Sequence, residues 1–476
     1  MAPQAQTVAI PKRLPLVIEP ENRNESTGKD AKLINGYVEK NEKTGEYWVF
    51  KRPGLLQTGA TKVGAGRGVY NWNNDIYSIF GTTLYKNGVN IGTVNGAGGV
   101  YHFASSLGST PRLQLGNGVV GYNWDNTTLT QMAGGNFPGN TYATAGVKGW
   151  AYLDGTTYIL DAASYIHGSD TAPGMNRPDL WTDLLNLLGA QIEPDKGIAL
   201  AKQLVYVLAL KEWSTEVFYD AQNPIGALPL APVQGAKINY GCINADSVQE
   251  IDGVLFWLAT NRSSSVQVIM LENLKPTIVS TKAIERLLGE ADFSSVSSIG
   301  IKYEGHRFYI FTLKNNNLTL VYDMTDKMWS QWTDAAGNYF KICSSTYEIG
   351  TGRILQHESN GKLYLMDAEY FTDDGEMITT DLYTPNFDGG VRRRKQMTMM
   401  EFIGDQTSGS TFQVRVNDFD YDPTKWTSFR IVDMTVKKPV LTNCGTFMRR
   451  ATHIRHQCNT RMRLQGIELQ IDIGTL

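Results

Sequence analysis

LTLVYDMTDKMWSQWT, residues 318–333, runs from an apolar strand through a polar turn to two tryptophans, Trp329 and Trp332. The preceding RFYIFTL (307–313) is aromatic and β-branched, a composition that suits a pleated, half-buried surface. Lys314-Asn315-Asn316-Asn317 supplies a turn, because Asn tolerates the left-handed conformation at little steric cost. Met324-Thr325-Asp326-Lys327 supplies the next one. No helical period runs through the stretch, so 307–333 reads as a β-meander of three short strands.

Looser versions recur in DIYSIFGTTLYKNGVNIGTV (75–94), RLQLGNGVVGYNW (112–124), GWAYLDGTTYILDAA (149–163) and RILQHESNGKLYLMDA (353–368). Short aromatic strands with Gly, Asn and Asp turns mark radially repeated sheets. A β-sandwich with unrelated hairpins is the plainer alternative, since strand spacing alone does not separate the two. The expected class is mainly β: a β-propeller with a β-sandwich-like platform module and a short helical insertion.

The chain has 476 residues, 42% of them hydrophobic, with 47 Gly and 23 Tyr, in keeping with strands and turns. Its net charge of −3 implies no global attraction to nucleic acid or membrane. The charge is unevenly placed: residues 391–476 carry 14 Lys/Arg against 8 Asp/Glu, a net of +6, which leaves −9 for residues 1–390. Gly389-Gly390 marks the join. Three segments are therefore expected: an extended, Pro-rich arm over 1–35, a propeller body over 36–390 with an insertion around 164–200, and a basic platform module over 391–476. PDLWTDLLNLL (178–188) predicts a helix, with Pro178 in its first turn and Gly189 as its stop. TKAIERLLGEA (281–291) predicts a second, capped by Ser280 or Thr281, with Ile284, Leu287 and Leu288 as its stripe.

Cys242, Cys343, Cys444 and Cys458 lie far apart, the pattern of reduced and mostly buried thiols. The N-terminus is too polar and Pro-broken for a signal peptide, and no apolar run approaches the roughly 20 residues of a membrane span.

Candidate chemistry is sparse. His453 and His456 sit three apart on a segment that reads as a strand, which separates them onto opposite faces and argues against a metal pair. Asp373-Asp374-Gly375-Glu376 lacks the alternating oxygens of a calcium loop. The Gly64–Gly68 cluster is followed by no G-K-[ST]. Propeller glycosidases are the serious enzyme alternative, yet the chain contains no S-x-D-x-G-x-x-W box and no carboxylate pair that the sequence singles out. No catalytic residue, metal or cofactor is assigned. Arg392, Arg393, Arg394 and Lys395 form the densest charge run, with Arg449, Arg450, Arg455, Arg461 and Arg463 behind it. They suit either an acidic or phosphate-bearing partner or a strand edge guarded against pairing. Alternation along STEVFYD places Trp213 and Tyr219 in the core, and Trp257 and Trp329 are expected there too.

KEWSTEVFYDAQNP (211–224), NYGCINADSVQEIDGVLFWLATN (239–261), IVSTKAIERLL (278–288) and FYIFTL…LVYDMTDKMW (308–329) resemble the packaged-DNA stabilisation or tail-hub (nozzle) proteins of short-tailed bacteriophages. INGYVEK…FKRPGL (34–55) and HIRHQCNTRMRLQGIELQI (453–471) match the ends of that family. The resemblance implies a structural component of the virion tail, made in the host bacterial cytoplasm and without enzymatic activity. It further implies a homohexameric ring that continues the portal-adaptor channel, retains packaged double-stranded DNA, and docks tail fibres or spikes and a needle protein. The basic residues are then expected at the adaptor and subunit interface. The alternative is a propeller-type glycoside hydrolase or a carbohydrate-binding module.

Overall fold

The strands of the opening meander fall at His306–Leu313, Leu318–Asp323 and Met328–Gln331. Asn317 closes the first turn in the left-handed region (φ 49°) and Lys327 the second (φ 58°). Tyr322 pairs with Trp329 across the second hairpin, and their rings lie 5.0 Å apart. The computed structural model describes residues 12–14, 16, 31–43, 45–107, 110–139, 146–172, 175–177, 179–224 and 227–473. Most of the expected N-terminal arm lies outside these residues.

The chain forms two units whose borders differ from the expected division at residue 390. One gathers Met1–Leu56, Leu318–Phe340 and Met366–Leu476; the other holds Gln57–Asn317 and Lys341–Leu365. The cause is long-range strand pairing. In the first unit, Tyr47–Lys51 pairs with Arg463–Ile473, and Lys32–Ile34 pairs with Thr380–Tyr383. One sheet runs Gly36–Lys40, Tyr47–Lys51, Arg463–Ile473, Lys395–Gly404, Val440–Thr442. A second series runs Met328–Gln331, Lys32–Ile34, Thr380–Tyr383, Ala451–His456, Thr411–Asn417, Arg430–Asp433. One apolar cluster takes Val49, Phe402 and Leu469 from the one and Leu33, Val414 and Ile454 from the other.

Among its described residues, the second unit contains five four-stranded antiparallel sheets in chain order, over residues 66–93, 102–131, 151–189, 197–232 and 249–278. The hairpins Val296–Tyr303/His306–Leu313 and Ile342–Glu348/Gly352–His357 follow. Its cores lie between consecutive sheets. Leu84 and Leu115 join the first to the second, Trp150 and Ala104 the second to the third, Leu160 and Leu200 the third to the fourth, and Val217 and Trp257 the fourth to the fifth. The Phe256 and Tyr309 rings stack at 5.2 Å at the next junction. The last hairpin returns to the first sheet: Ser344 Oγ accepts from Val69 N at 3.1 Å, and Thr346 Oγ1 accepts from Asn71 N at 2.9 Å. A face-to-face succession that closes on its own first member is the organisation of a propeller.

The helix expected over 178–188 is not formed. Pro178 lies outside the described residues, and 179–186 follow turns and extended backbone up to a short strand, Leu187–Gly189. Asp170 takes the backbone N–H groups of Thr182 and Asp183, at 2.8 and 3.0 Å, and Trp181 is buried against Phe137 and Trp150. Tertiary burial of Trp181 and local carboxylate bonding outweigh helix propensity here. Much of the expected insertion is sheet: Tyr165–Gly168 and Leu187–Gly189 complete the third sheet, and Gly197–Gln203 opens the fourth. The second helix spans Lys282–Gly289; the Thr281 hydroxyl caps Ile284 N at 3.4 Å, and Ile284 and Leu288 are buried. Among the described residues, no helix is long and apolar enough to cross a membrane.

Candidate functional site

The basic run divides into two kinds of residue. Arg392, Arg393 and Arg394 are exposed just after the Gly389-Gly390 turn, and no ion pair holds them among the described residues. Lys395 differs from the expectation. Its side chain is buried, and its ammonium donates to the carbonyls of Val391, Arg393 (2.9 Å) and Met448 (3.0 Å) while lying 5.7 Å from the Phe447 ring. An ammonium with three donors and no water needs three acceptors, and the turn supplies them. Lys395 therefore knots the loop from beneath, and the three arginines are presented above it.

Among the arginines behind the run, Arg449, Arg450 and Arg455 are engaged internally. Arg449 pairs with Asp420. Arg450 is buried and forks onto Asp418 at 2.7 and 2.9 Å, donates to Cys444 O at 2.6 Å, and lies 4.4 Å over Phe447. Arg455 forks onto Asp381 at 2.7 and 3.2 Å, and Asp381 also meets His453 Nε2 at 2.7 Å. Burial opposes the charge on Asp381, yet the bonds from His453 and Arg455 hold its carboxyl below the ordinary range. His456, on the same strand, meets a separate pair, Ser410 Oγ at 3.2 Å and Thr460 Oγ1 at 3.3 Å.

Of the four expected core aromatics, Trp257 and Trp329 are buried, and Trp257 donates to Gly241 O at 2.8 Å. Trp213 and Tyr219 depart from expectation. Trp213 is half-exposed, and Tyr219, at the strand end, is 42% exposed. The reason is Asp195, whose carboxylate accepts from the N–H groups of Trp213 and Ser214, both at 3.0 Å. This pins the hairpin corner with the indole outside it. Residues 214–218 are then buried on both faces, so simple alternation fails.

Ionic clusters built on buried Lys211 and Arg52, and a half-buried one on Asp246, escaped the sequence reading. Lys211 Nζ sits 2.8 Å from Asp195 and 2.6 Å from Glu216, and donates to Glu193 O at 2.9 Å. Arg52, fully buried, forks onto Asp373, donates to Asn35 Oδ1 and Thr333 O at 3.0 Å each, and lies 5.0 Å over Phe340. Asp246 meets His102 Nε2 at 3.2 Å and Lys148 Nζ at 2.5 Å. His102 opens the second sheet, while Lys148 and Asp246 lie just before the third and the fifth, so the contacts join parts of the succession that are not consecutive. Burial opposes the charge on Asp246, and His102 with Lys148 holds it below the ordinary carboxylate range. The only sequence signal was a charged residue ending an apolar strand, as in YVLALK (206–211).

The family model described as Bacteriophage P22 Gp10, beta-propeller, matches residues 35–382. The chain belongs to this phage stabilisation family. It is thereby a phage structural protein with a β-propeller in the matched span. That span takes in Arg52, the Asp195–Lys211–Glu216 cluster and Asp246, whereas Arg392–Arg394 lie beyond it. No curated protein matches the chain. Among solved structures it is similar to the computationally designed Ika8 protein, at 10% identity and TM-score 0.35, covering 66% of this chain and 98% of that one. It is also similar to BBS1N in complex with ARL6DN, at 8% and 0.41, covering 67% and 98%. A third is the extracellular domain of the putative hybrid two-component system BT4673 from B. thetaiotaomicron, at 7% and 0.41, covering 86% and 58%. Likeness this distant carries no functional information.

Proposed function

We propose that this phage structural protein is a tail hub. On this reading, copies assemble as a hexameric ring on the portal adaptor, extend the DNA channel, retain the packaged genome, and carry fibres or spikes and a needle protein. Membership of the phage stabilisation family over residues 35–382 is the observation that carries it. Contact of Asp246 with His102 and Lys148 supports a sheet succession whose interior is bridged by side chains, with too little room for a duplex whose major groove alone is about 12 Å wide. On this reading the conduit runs between copies. The platform read from the first unit's two sheets is the adaptor-facing module, with Arg392, Arg393 and Arg394 as contacts, since guanidinium forks pair well with carboxylates. Pairing of Lys12 and Arg13 with Leu469 and Glu468 supports an N-terminal segment on the same module.

The purified chain should be largely monomeric and should gain ring stoichiometry only on adaptor-bearing particles. Native mass spectrometry of the chain with and without adaptor tests this. Six copies per adaptor ring are expected; no association with the adaptor would contradict the reading.

A further inference from the structure

We propose that the cleft beside Trp213 binds a carboxylate-bearing sugar residue of a glycan chain, an activity beyond the structural role above. Trp213 sits on the turn between Tyr206–Lys211 and Thr215–Asp220, where Asp195 fixes its backbone N–H and that of Ser214. Asp195 is itself anchored by Lys211 at 2.8 Å. The ring is thus held on a rigid corner before any ligand arrives, which reduces the ordering cost of binding. The indole is half-buried and its Nε1 is shielded from solvent, so the part of the ring offered to the cleft is carbon. Aromatic carbon is the surface that packs on the C–H face of a sugar.

The rim is polar and mixed in charge. Lys237 and Glu193 pair at 2.6 Å, and Arg262, from the Asn261–Ser264 hairpin turn, lies 4.8 Å over the Trp213 ring and 3.5 Å from Glu193. Two cations face one carboxylate, and the Arg262 side chain is 58% exposed. A guanidinium that shares one carboxylate at 3.5 Å keeps donors for a second, and its fork suits a sugar carboxylate. Asn239 and Asn261 add amides suited to ring hydroxyls. The cleft measures about 220 Å³ and shares Lys237, Asn239 and Asn261 with an adjoining hollow of about 380 Å³ that reaches Leu274 and Pro276. Two joined subsites suit a chain of sugars. A single net positive charge does not suit a polyphosphate backbone, whose binding scales with the number of cations engaged.

The test is isothermal titration and saturation-transfer NMR of the full chain against trigalacturonate, with maltotriose as the uncharged comparison. Trigalacturonate is expected to bind at least tenfold more tightly than maltotriose. Arg262→Gln, on an exposed side chain, is expected to weaken trigalacturonate at least tenfold with an unchanged far-UV spectrum, and Trp213→Leu to abolish its binding. No binding by the unaltered chain, equal affinity for the two trimers, or unchanged affinity in Arg262→Gln would overturn the proposal. Each of those results leaves the tail-hub reading standing, because ring formation is measured separately.

Discussion

Lys211 Nζ donates to Glu216 Oε1 at 2.6 Å at the end of a strand where neither side chain meets solvent. Asp195 completes the cluster, and Glu216 also accepts from Ile192 N at 2.9 Å. The three side chains join the fourth sheet to the loop that precedes it. Removing the one cation strands two buried carboxylates, a loss that typically costs about 3–5 kcal/mol. Lys211→Met should therefore lower the melting temperature sharply, and Lys211→Met with Glu216→Gln should recover part of the loss. Denaturant titration of the single and double variants checks this; a single-variant loss below about 1 kcal/mol would contradict it.

Tryptophans divide by burial. Trp257→Ala and Trp332→Ala empty fully buried sites and should each cost about 3–5 kcal/mol. Trp213→Ala should cost only about 1 kcal/mol, mainly through loss of the Arg262 stacking, and should stay soluble. Thermal melts of the three variants side by side provide the check.

The basic run should split in the same way. Arg392, Arg393 and Arg394 all replaced by Ser should leave the melting temperature unchanged and abolish attachment to DNA-filled heads. Lys395→Ser should instead destabilise the fold, because it leaves three carbonyls under the loop without their donor. Normal head attachment by the triple variant would remove these arginines from the adaptor interface.

Acid should weaken the first unit. Burial pushes His456 down to about 3, and burial also lowers His453 despite its bond to Asp381. An unfolded histidine takes up its proton at about 6.5, so between about 6.5 and 3 the unfolded chain binds more protons than the folded one. Stability contributed by the neutral His456 is therefore present above pH 6.5 and is lost as pH falls through this window. His456→Gln should flatten that slope in urea titrations at pH 7, 5.5 and 4. An unchanged slope would show that His456 does not titrate with unfolding.

The opening meander was legible because each strand is short, alternates in place, and ends at Asn or Asp residues that set the turn. The helix over 178–188 was not. Its apolar residues do not share one face: Trp181 is buried between sheets and Leu188 packs on a core as part of a strand, while Leu184 and Leu185 face solvent. The domain division was hidden for a different reason. Lys32–Ile34 pairs with Thr380–Tyr383 and Tyr47–Lys51 with Arg463–Ile473, each more than three hundred residues away, and local pattern carries no register for such partners. The charge runs showed density without direction. Arg394 and Lys395 are neighbours in sequence, yet one is exposed and the other is buried against backbone carbonyls.

On the proposed tail-hub reading, this protein closes the genome exit. DNA-filled particles assembled without it should leak, leaving their DNA open to nuclease. Adding the purified chain to adaptor-bearing particles should render the packaged DNA nuclease-resistant, with the increase saturating at ring stoichiometry. DNA that stays as accessible after addition as before it would contradict the tail-hub reading.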